Sequence, residues 1–323
     1  MKYLFNQDKL DIICKEILEL ETNEIHKSND FYGQAHCIKD YIGLNRSLKF
    51  IYEHGIMFHD GIWKGDLVNY FKIACLTSNY RKKVYQKKTN YPFIFNIGSG
   101  FIYAKTTLDK KLKPVDRQGT LVFLNHSTHH IKADYDLNLV INHLKQLSQE
   151  FHPITVSIYW KDYQHSTHKI FIDNGFDVVS AGHIYDKSFL YNFYDIVRNF
   201  KYTASSSLGS HFFYSIIAGC QFIRLPDLEI NYIDPKKEAV INKNNEEINR
   251  ITKEFVNTFT VNTLIDKKTE IDFVKKYART TPYSKIRLIA LIIFSEIIYL
   301  LNKFRRIGIK ILKFVEIKLS KIK

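Results

Sequence analysis

The sequence predicts an α/β protein built on parallel sheet, and three observations predict it. From Thr120 to Leu225, short apolar strand-like runs alternate with stretches of helical periodicity. The apolar fraction, 45%, is that of a globular protein. At 323 residues the chain is long enough for two units, each with its own core. Such an alternation puts helices on both faces of a sheet whose ligands bind beyond the carboxyl ends of the strands.

Taken in order, Leu10 to Leu20 has apolar residues at helical spacing. Lys49 to Tyr52 reads as a short strand running into Glu53-His54-Gly55, and Tyr91 to Gly98 as another, ending in Gly98-Ser99-Gly100. Residues 105–119 are polar and punctuated by Pro114 and Gly119, so they form the linker after a first unit over 1–104. The second unit, 120–240, opens on the strand Thr120 to Leu124. There follow a helix over Leu137 to Leu147, a strand over Ile154 to Tyr159, a helix over His168 to Asn174 and a strand over Phe176 to Ser180. The alternation continues with a helix over Ser188 to Phe200, a strand over Lys201 to Ala204, a helix over Phe212 to Gly219 and a strand over Gln221 to Leu225. A helical return segment, 241–282, holds Asn242 to Phe259 and Asp266 to Tyr277, and a basic tail occupies 283–323.

The net charge of +14 is unevenly placed. The tail carries ten Lys/Arg against Glu296 and Glu316, so +8 of the +14 lies there and the rest is mildly basic. That balance argues against a nucleic-acid protein with a basic body. Cys14, Cys37, Cys75 and Cys220 show no metal spacing and read as reduced, buried thiols. The N-terminal residues lack a secretory apolar region, which points to the cytosol. Leu288 to Leu301 is too short for a bilayer span and is interrupted by Glu296. Between Lys303 and Lys323, Phe304, Ile307, Ile311, Val315, Leu319 and Ile322 recur at three- and four-residue steps. Two readings of this stripe stand: a basic amphipathic helix on an anionic membrane, or a helix on the core with a solvated lysine face. The charge excess favours the membrane, hence a protein peripheral to the inner face of the cytoplasmic membrane.

Three polar loops follow strands of the second unit and so share one rim. The first is Asn125-His126-Ser127-Thr128-His129-His130. Its imidazoles and hydroxyls suit an anion; metal binding is the sharper alternative, and structural hydrogen bonding the plainer one. The second is Trp160-Lys161-Asp162, where Trp160 is either a stacking surface for a base or core. The third, Ala204-Ser205-Ser206-Ser207-Leu208-Gly209-Ser210-His211, lies where a strand turns into a helix. There, unpaired N–H groups and the positive end of the helix dipole favour a phosphate, unless Ser207 or Ser210 merely caps the helix. Gly182-His183-Ile184-Tyr185-Asp186 joins the rim or is a plain turn.

In this order, HSTHH, YWKD, GHIYD and YTASSSLGSHFFYSIIAG resemble the nucleotide-sugar half of GT-B glycosyltransferases of bacterial O-antigen and capsule assembly, and are similar in layout to the bacterial sialyl- and Kdo-transferases. The resemblance covers roughly residues 115–230. It implies two Rossmann-like domains with a cleft between them. It also implies a nucleotide-sugar donor held by His126, Ser127, Thr128, His129, Lys161, Ser205, Ser206, Ser207, Gly209, Ser210 and His211, with Trp160, His183 and Tyr185 on the rim. The sialyltransferases carry His-Pro in the first loop where this chain has His126-Ser127, so the nucleotide stays open. In such enzymes the first domain supplies the acceptor site and the base. The matching segment is Glu53 to Gly61, in which His54, His59 and Asp60 qualify chemically. Asp60 and His54 are the preferred pair, although Asp60-Gly61 is equally a turn signal. No DxD motif lies on the donor-side loops, so neither metal nor other cofactor is expected. The implied acceptor is a lipid-linked glycan. The rival readings are a teichoic-acid-type polyol- or sugar-phosphate transferase and a non-enzymatic membrane scaffold.

Overall fold

A computed structural model describes residues 5–128, 131–234, 239–240 and 246–320. Helix α1, Gln7–Ile13, starts where the Asn6 side chain accepts from Lys9 N at 3.0 Å. It stops seven residues short of the predicted end. Only Leu10 of this helix is buried and, past its end, Leu18 is 85% exposed, so no core face supports a further turn, and propensity alone cannot hold one. A 3-10 segment, Lys27–Gly33, leads into α2, Gln34–Ile42, through Tyr32 and Gly33, both at positive φ. Strands β1 (Ile51–Tyr52), β2 (Ile73–Leu76) and β3 (Phe93–Asn96) form a parallel three-stranded sheet in that order, with α3 (Asn79–Lys88) between the last two. Helix α4, Gly100–Asp109, follows. Its last turn occupies the start of the predicted linker, held by a Lys105–Asp109 pair at 2.6 Å.

The second sheet is formed by β4 (Thr120–Phe123), β6 (Ile154–Ser157), β7 (Asp177–Val179), β8 (Tyr202–Ser205) and β9 (Gln221–Arg224). Between β4 and β6 lie β5 (Lys132–Asp134) and α5 (Leu137–Lys145); α6 (Trp160–Gln164) and α7 (Thr167–Asp173) precede β7. Helix α8 (Phe189–Val197) precedes β8, and α9 (Ser210–Ile217) precedes β9. The order is β7-β6-β4-β8-β9, every pair parallel. All four residues of β4 are buried, as expected of a central strand covered on both faces. The chain leaves β4 in one direction and returns to β8 on the other side, so the topological switch point lies between them. A small antiparallel sheet pairs β5 with β10 (Asn231–Asp234), and β10 with β11 (Ala239–Val240).

Separate cores for the two units were expected; the main apolar cluster instead runs across both. Phe101 of α4 stacks on Tyr214 of α9 at 4.4 Å and meets Phe193 of α8 at 5.7 Å. Helices α10 (Glu246–Thr258) and α11 (Lys267–Tyr277) extend this cluster, ringing Phe212 with Phe255, Phe259 and Phe273. Helix α11 also reaches the first sheet's side, where Tyr277 meets Tyr80 of α3.

Helix α12, Lys285–Ser320, spans most of the basic tail expected over 283–323, and its start is packed on the protein. Leu288, Leu291, Ile292 and Ser295 are buried, and Phe294 packs edge-on against Phe93 at 5.0 Å. The first three turns therefore belong to the core. Farther on, Leu300, Leu301, Phe304, Ile307 and Leu312 are exposed. Of the predicted stripe and its basic residues, Ile322, Lys321 and Lys323 lie outside the described residues. Among the described residues, no helix is long and apolar enough to cross a membrane.

Candidate functional site

A cavity of about 420 Å³ lies at the carboxyl ends of β4, β6 and β8, roofed by the loop that follows β1. Its floor is the switch point. Two predicted clusters meet there because β4 and β8 are neighbours, and Asn125 ties them together: its Nδ2 donates to Ser206 Oγ at 3.2 Å, and its Oδ1 accepts from Ser207 Oγ at 2.8 Å. Ser205 ends β8 fully buried, its Oγ accepting from Ser207 N at 3.2 Å to shape the turn into α9. Gly209 is the N-cap, in extended conformation. A Cβ there would lie 2.8 Å from the His211 ring, so glycine lets the imidazole fold back over the turn.

His211 stacks on Phe123 at 5.0 Å, and its Nε2 donates to Ser207 O at 3.2 Å. Burial, then the neighbouring His126, lower its pKa to about 4, so the ring is neutral. His126 is exposed to the cavity, its ring 4.4 Å from that of Tyr159. Tyr159 and Tyr32 both line the cavity, and burial raises the pKa of both, keeping them as phenols.

The roof comes from the first unit. Ser210 Oγ accepts from Ile56 N at 3.2 Å, fastening the loop after β1 to the start of α9. The loop is also held from behind by a buried ion pair. Arg81 Nε donates to Glu53 Oε1 at 2.7 Å, Thr77 Oγ1 donates to Glu53 Oε2 at 3.0 Å, and the guanidinium donates to the carbonyls of His59 and Gly61. Clamped in this way, the loop presents His54 to the cavity. The ring lies edge-on to Phe31 and Trp63, and its Nδ1 is buried without a hydrogen-bond partner among the described residues. Burial lowers the His54 pKa, with Asp66 opposing. Among the described lining residues there is no Asp, Glu, Lys or Arg.

Of the residues singled out from sequence, His54, His126, Thr128, Ser207, Gly209, Ser210 and His211 line this cavity. Ser127, Ser205 and Ser206 stand behind it: Ser127 N donates to the Asp162 carboxylate, and Ser127 Oγ accepts from Ala133 N at 3.1 Å. His129 and His130 lie outside the described residues. Asp60 does not line the cavity; its carboxylate is paired with Lys88. Lys161 points elsewhere, 3.8 Å from Glu16. Trp160 is fully buried with its ring 4.0 Å from His183, so it is core rather than a stacking surface on the rim. His183 is buried too, its Nδ1 accepting from Tyr185 N at 3.0 Å: the segment is a turn. Tyr185 packs on Phe31 instead of lining the cavity. Tyr32, Tyr159 and Tyr214 line the cavity without having been singled out, and so does Asn125, which opens the first polar loop but was not named among the binding residues. Asn125 carried a signal, an amide directly after an apolar strand; the tyrosines, among 21 in the chain, carried none.

No family model matches this chain, and no curated protein matches it. Among solved structures it is similar to S. aureus MnaA in a co-structure with UDP, at a TM-score of 0.40 and 9% identity, over 85% of this chain and 79% of that one.

Proposed function

We propose that the chain is a glycosyltransferase that binds a nucleotide-activated sugar in this cavity and moves the sugar to a lipid-linked acceptor of O-antigen or capsule assembly. The observation that carries this reading is the convergence, in one cavity, of the α9 N-terminus with Ser207 and His126 on one side and the His54 imidazole on the other. The first fits a leaving phosphate and the second an attacking hydroxyl.

With no cationic side chain among the described lining residues, charge on the leaving phosphate falls to the α9 N–H groups, the Ser207 hydroxyl and the imidazoles. The Tyr32 and Tyr159 phenols offer neutral hydrogen bonds suited to sugar hydroxyls. In the transfer, the acceptor oxygen bonds to the anomeric carbon while the bond from that carbon to the phosphate oxygen breaks. The phosphate keeps the electron pair, and the acceptor proton goes to His54. Its lowered pKa keeps it unprotonated near neutral pH, as a general base must be. In the same reading, the outer turns of α12 rest on the inner face of the cytoplasmic membrane, where a lipid-linked acceptor would be found.

Titration calorimetry against UDP, GDP, CMP and dTDP tests the donor half. At least one should bind and raise the melting temperature, since a ligand of the native state alone must do so. Binding of none of the four would sink the reading.

A further inference from the structure

We infer that the exposed loop carrying Trp63 and Leu67 is a second membrane contact, continuous with the outer face of α12, that sets the mouth of the cavity against an anionic bilayer. The inference rests on the membrane part of the function proposed above. Trp63 is 49% and Leu67 53% exposed, at the two ends of the 3-10 turn Lys64–Asp66. Backbone bonds from Asp66 N to Trp63 O at 2.9 Å and from Leu67 N to Lys64 O at 3.2 Å fix the turn.

The loop is attached to α12 just beyond. Asn302 Nδ2 donates to Tyr70 O at 3.2 Å, and Arg306 donates to Asn69 O. These bonds set the loop beside the turn of α12 that exposes Leu301, Phe304 and Ile307. The exposed charges beside these apolar tips are basic. Lys64, Lys303 and Arg305 are exposed, while Asp66 is buried and engaged by His26 and Tyr85. Apolar tips among basic side chains complement anionic headgroups over an acyl boundary, and an indole, apolar with one polar edge, is suited to that depth.

At its other side Trp63 faces the chemistry. Its ring lies 5.6 Å from that of His54, which lines the cavity. A lipid-anchored acceptor lying along Trp63 would therefore present its headgroup hydroxyl next to His54, with no need to leave the bilayer.

The chain has two tryptophans, and Trp160 is fully buried, so quenchable emission reports Trp63. The test adds phosphatidylcholine vesicles, with and without phosphatidylglycerol, to the full chain and follows emission, acrylamide quenching and co-sedimentation. Anionic vesicles should shift the emission to the blue and protect it from acrylamide, and neither change should occur in Trp63→Phe. Leu67→Ser should lower co-sedimentation and leave nucleotide-induced thermal stabilisation intact. Co-sedimentation with unchanged Trp63 emission would overturn the loop contact alone and leave α12 as the membrane element. Absence of co-sedimentation would overturn both.

Discussion

The Ser207 hydroxyl donates to Asn125 Oδ1 at 2.8 Å, joining positions 82 residues apart in the chain. Asn125 begins the excursion from β4, and Ser207 begins the turn into α9, so one side chain fixes the spacing of the two loops at the switch point. That bond holds the α9 N-terminus open to the cavity.

Asn125→Ala and Ser207→Ala should each weaken binding of the cognate nucleotide by about 1–3 kcal/mol, the range for losing a charge-assisted hydrogen bond or the group that positions it. Ser206→Ala should cost less, because Ser206 stands behind the cavity. Calorimetry on folded variants checks this, and equal dissociation constants throughout would return the pair to a purely structural role.

His54→Ala should lower turnover by about 10²–10⁴-fold with nucleotide affinity retained. Asp60→Asn should leave turnover unchanged, since Lys88 already neutralises that carboxylate outside the cavity. A base must be unprotonated to act, so the rate should rise with pH through the His54 pKa and then level off. Burial holds that pKa below 6.5, and the limb should fall on the acid side of it. A limb above pH 7, or a fast Asp60-dependent enzyme, would assign the base elsewhere.

Much of the second sheet was legible because its strands are continuous apolar runs and its helices have a clear period. The strand-to-helix turn at Ser205–Ser210 could be read locally for the same reason. The first unit was less legible. Strand β1 has two residues, β2 gave no flanking signal, and α3 is almost wholly polar on its surface (Asn79, Lys83, Gln86, Lys87, Lys88). Loop roles were harder still, because they depend on partners distant in sequence. Asp60 and His54 look equivalent in the chain, yet Lys88 claims one and the Arg81–Glu53 clamp turns the other inward. Trp160 follows a strand and stands next to polar residues, but its neighbour His183 arrives from the loop after β7 and buries it.

Glu270 should make stability depend on pH. It is fully buried on α11, with one oxygen accepting from Phe222 N at 2.7 Å, and burial raises its pKa from 4.5 to about 7. A raised carboxyl pKa means that the folded state binds the extra proton. Stability is therefore fully present below the unfolded pKa and is lost as pH rises through the folded one, between about 4.5 and 7. The loss is on the order of 3 kcal/mol at most. Glu270→Gln keeps the acceptor and should flatten this part of the melting-temperature profile. A wild-type slope that survives in the variant would rule out Glu270 as its source.

Truncation should divide α12 into two functions. A chain ending at Ser284 loses the side chains of Leu288, Leu291 and Ile292 from the core and the Phe294 cover over Phe93. At about 1.5–3 kcal/mol for each buried aliphatic side chain, that approaches the whole margin of a typical domain, so this protein should aggregate or melt well below the full chain. A chain ending at Asn302 keeps those contacts and the bond to Tyr70 O. It should fold, keep its nucleotide affinity and sediment less with anionic vesicles, because Phe304, Ile307 and the basic residues from Lys303 onward are gone. Binding of the full chain should weaken in 1 M salt, where the Debye length is about 3 Å. Equal sedimentation of the Asn302-terminated and full chains would show that the outer turns of α12 do not touch the membrane, and equal stability of the Ser284-terminated chain would show that its inner turns are not core.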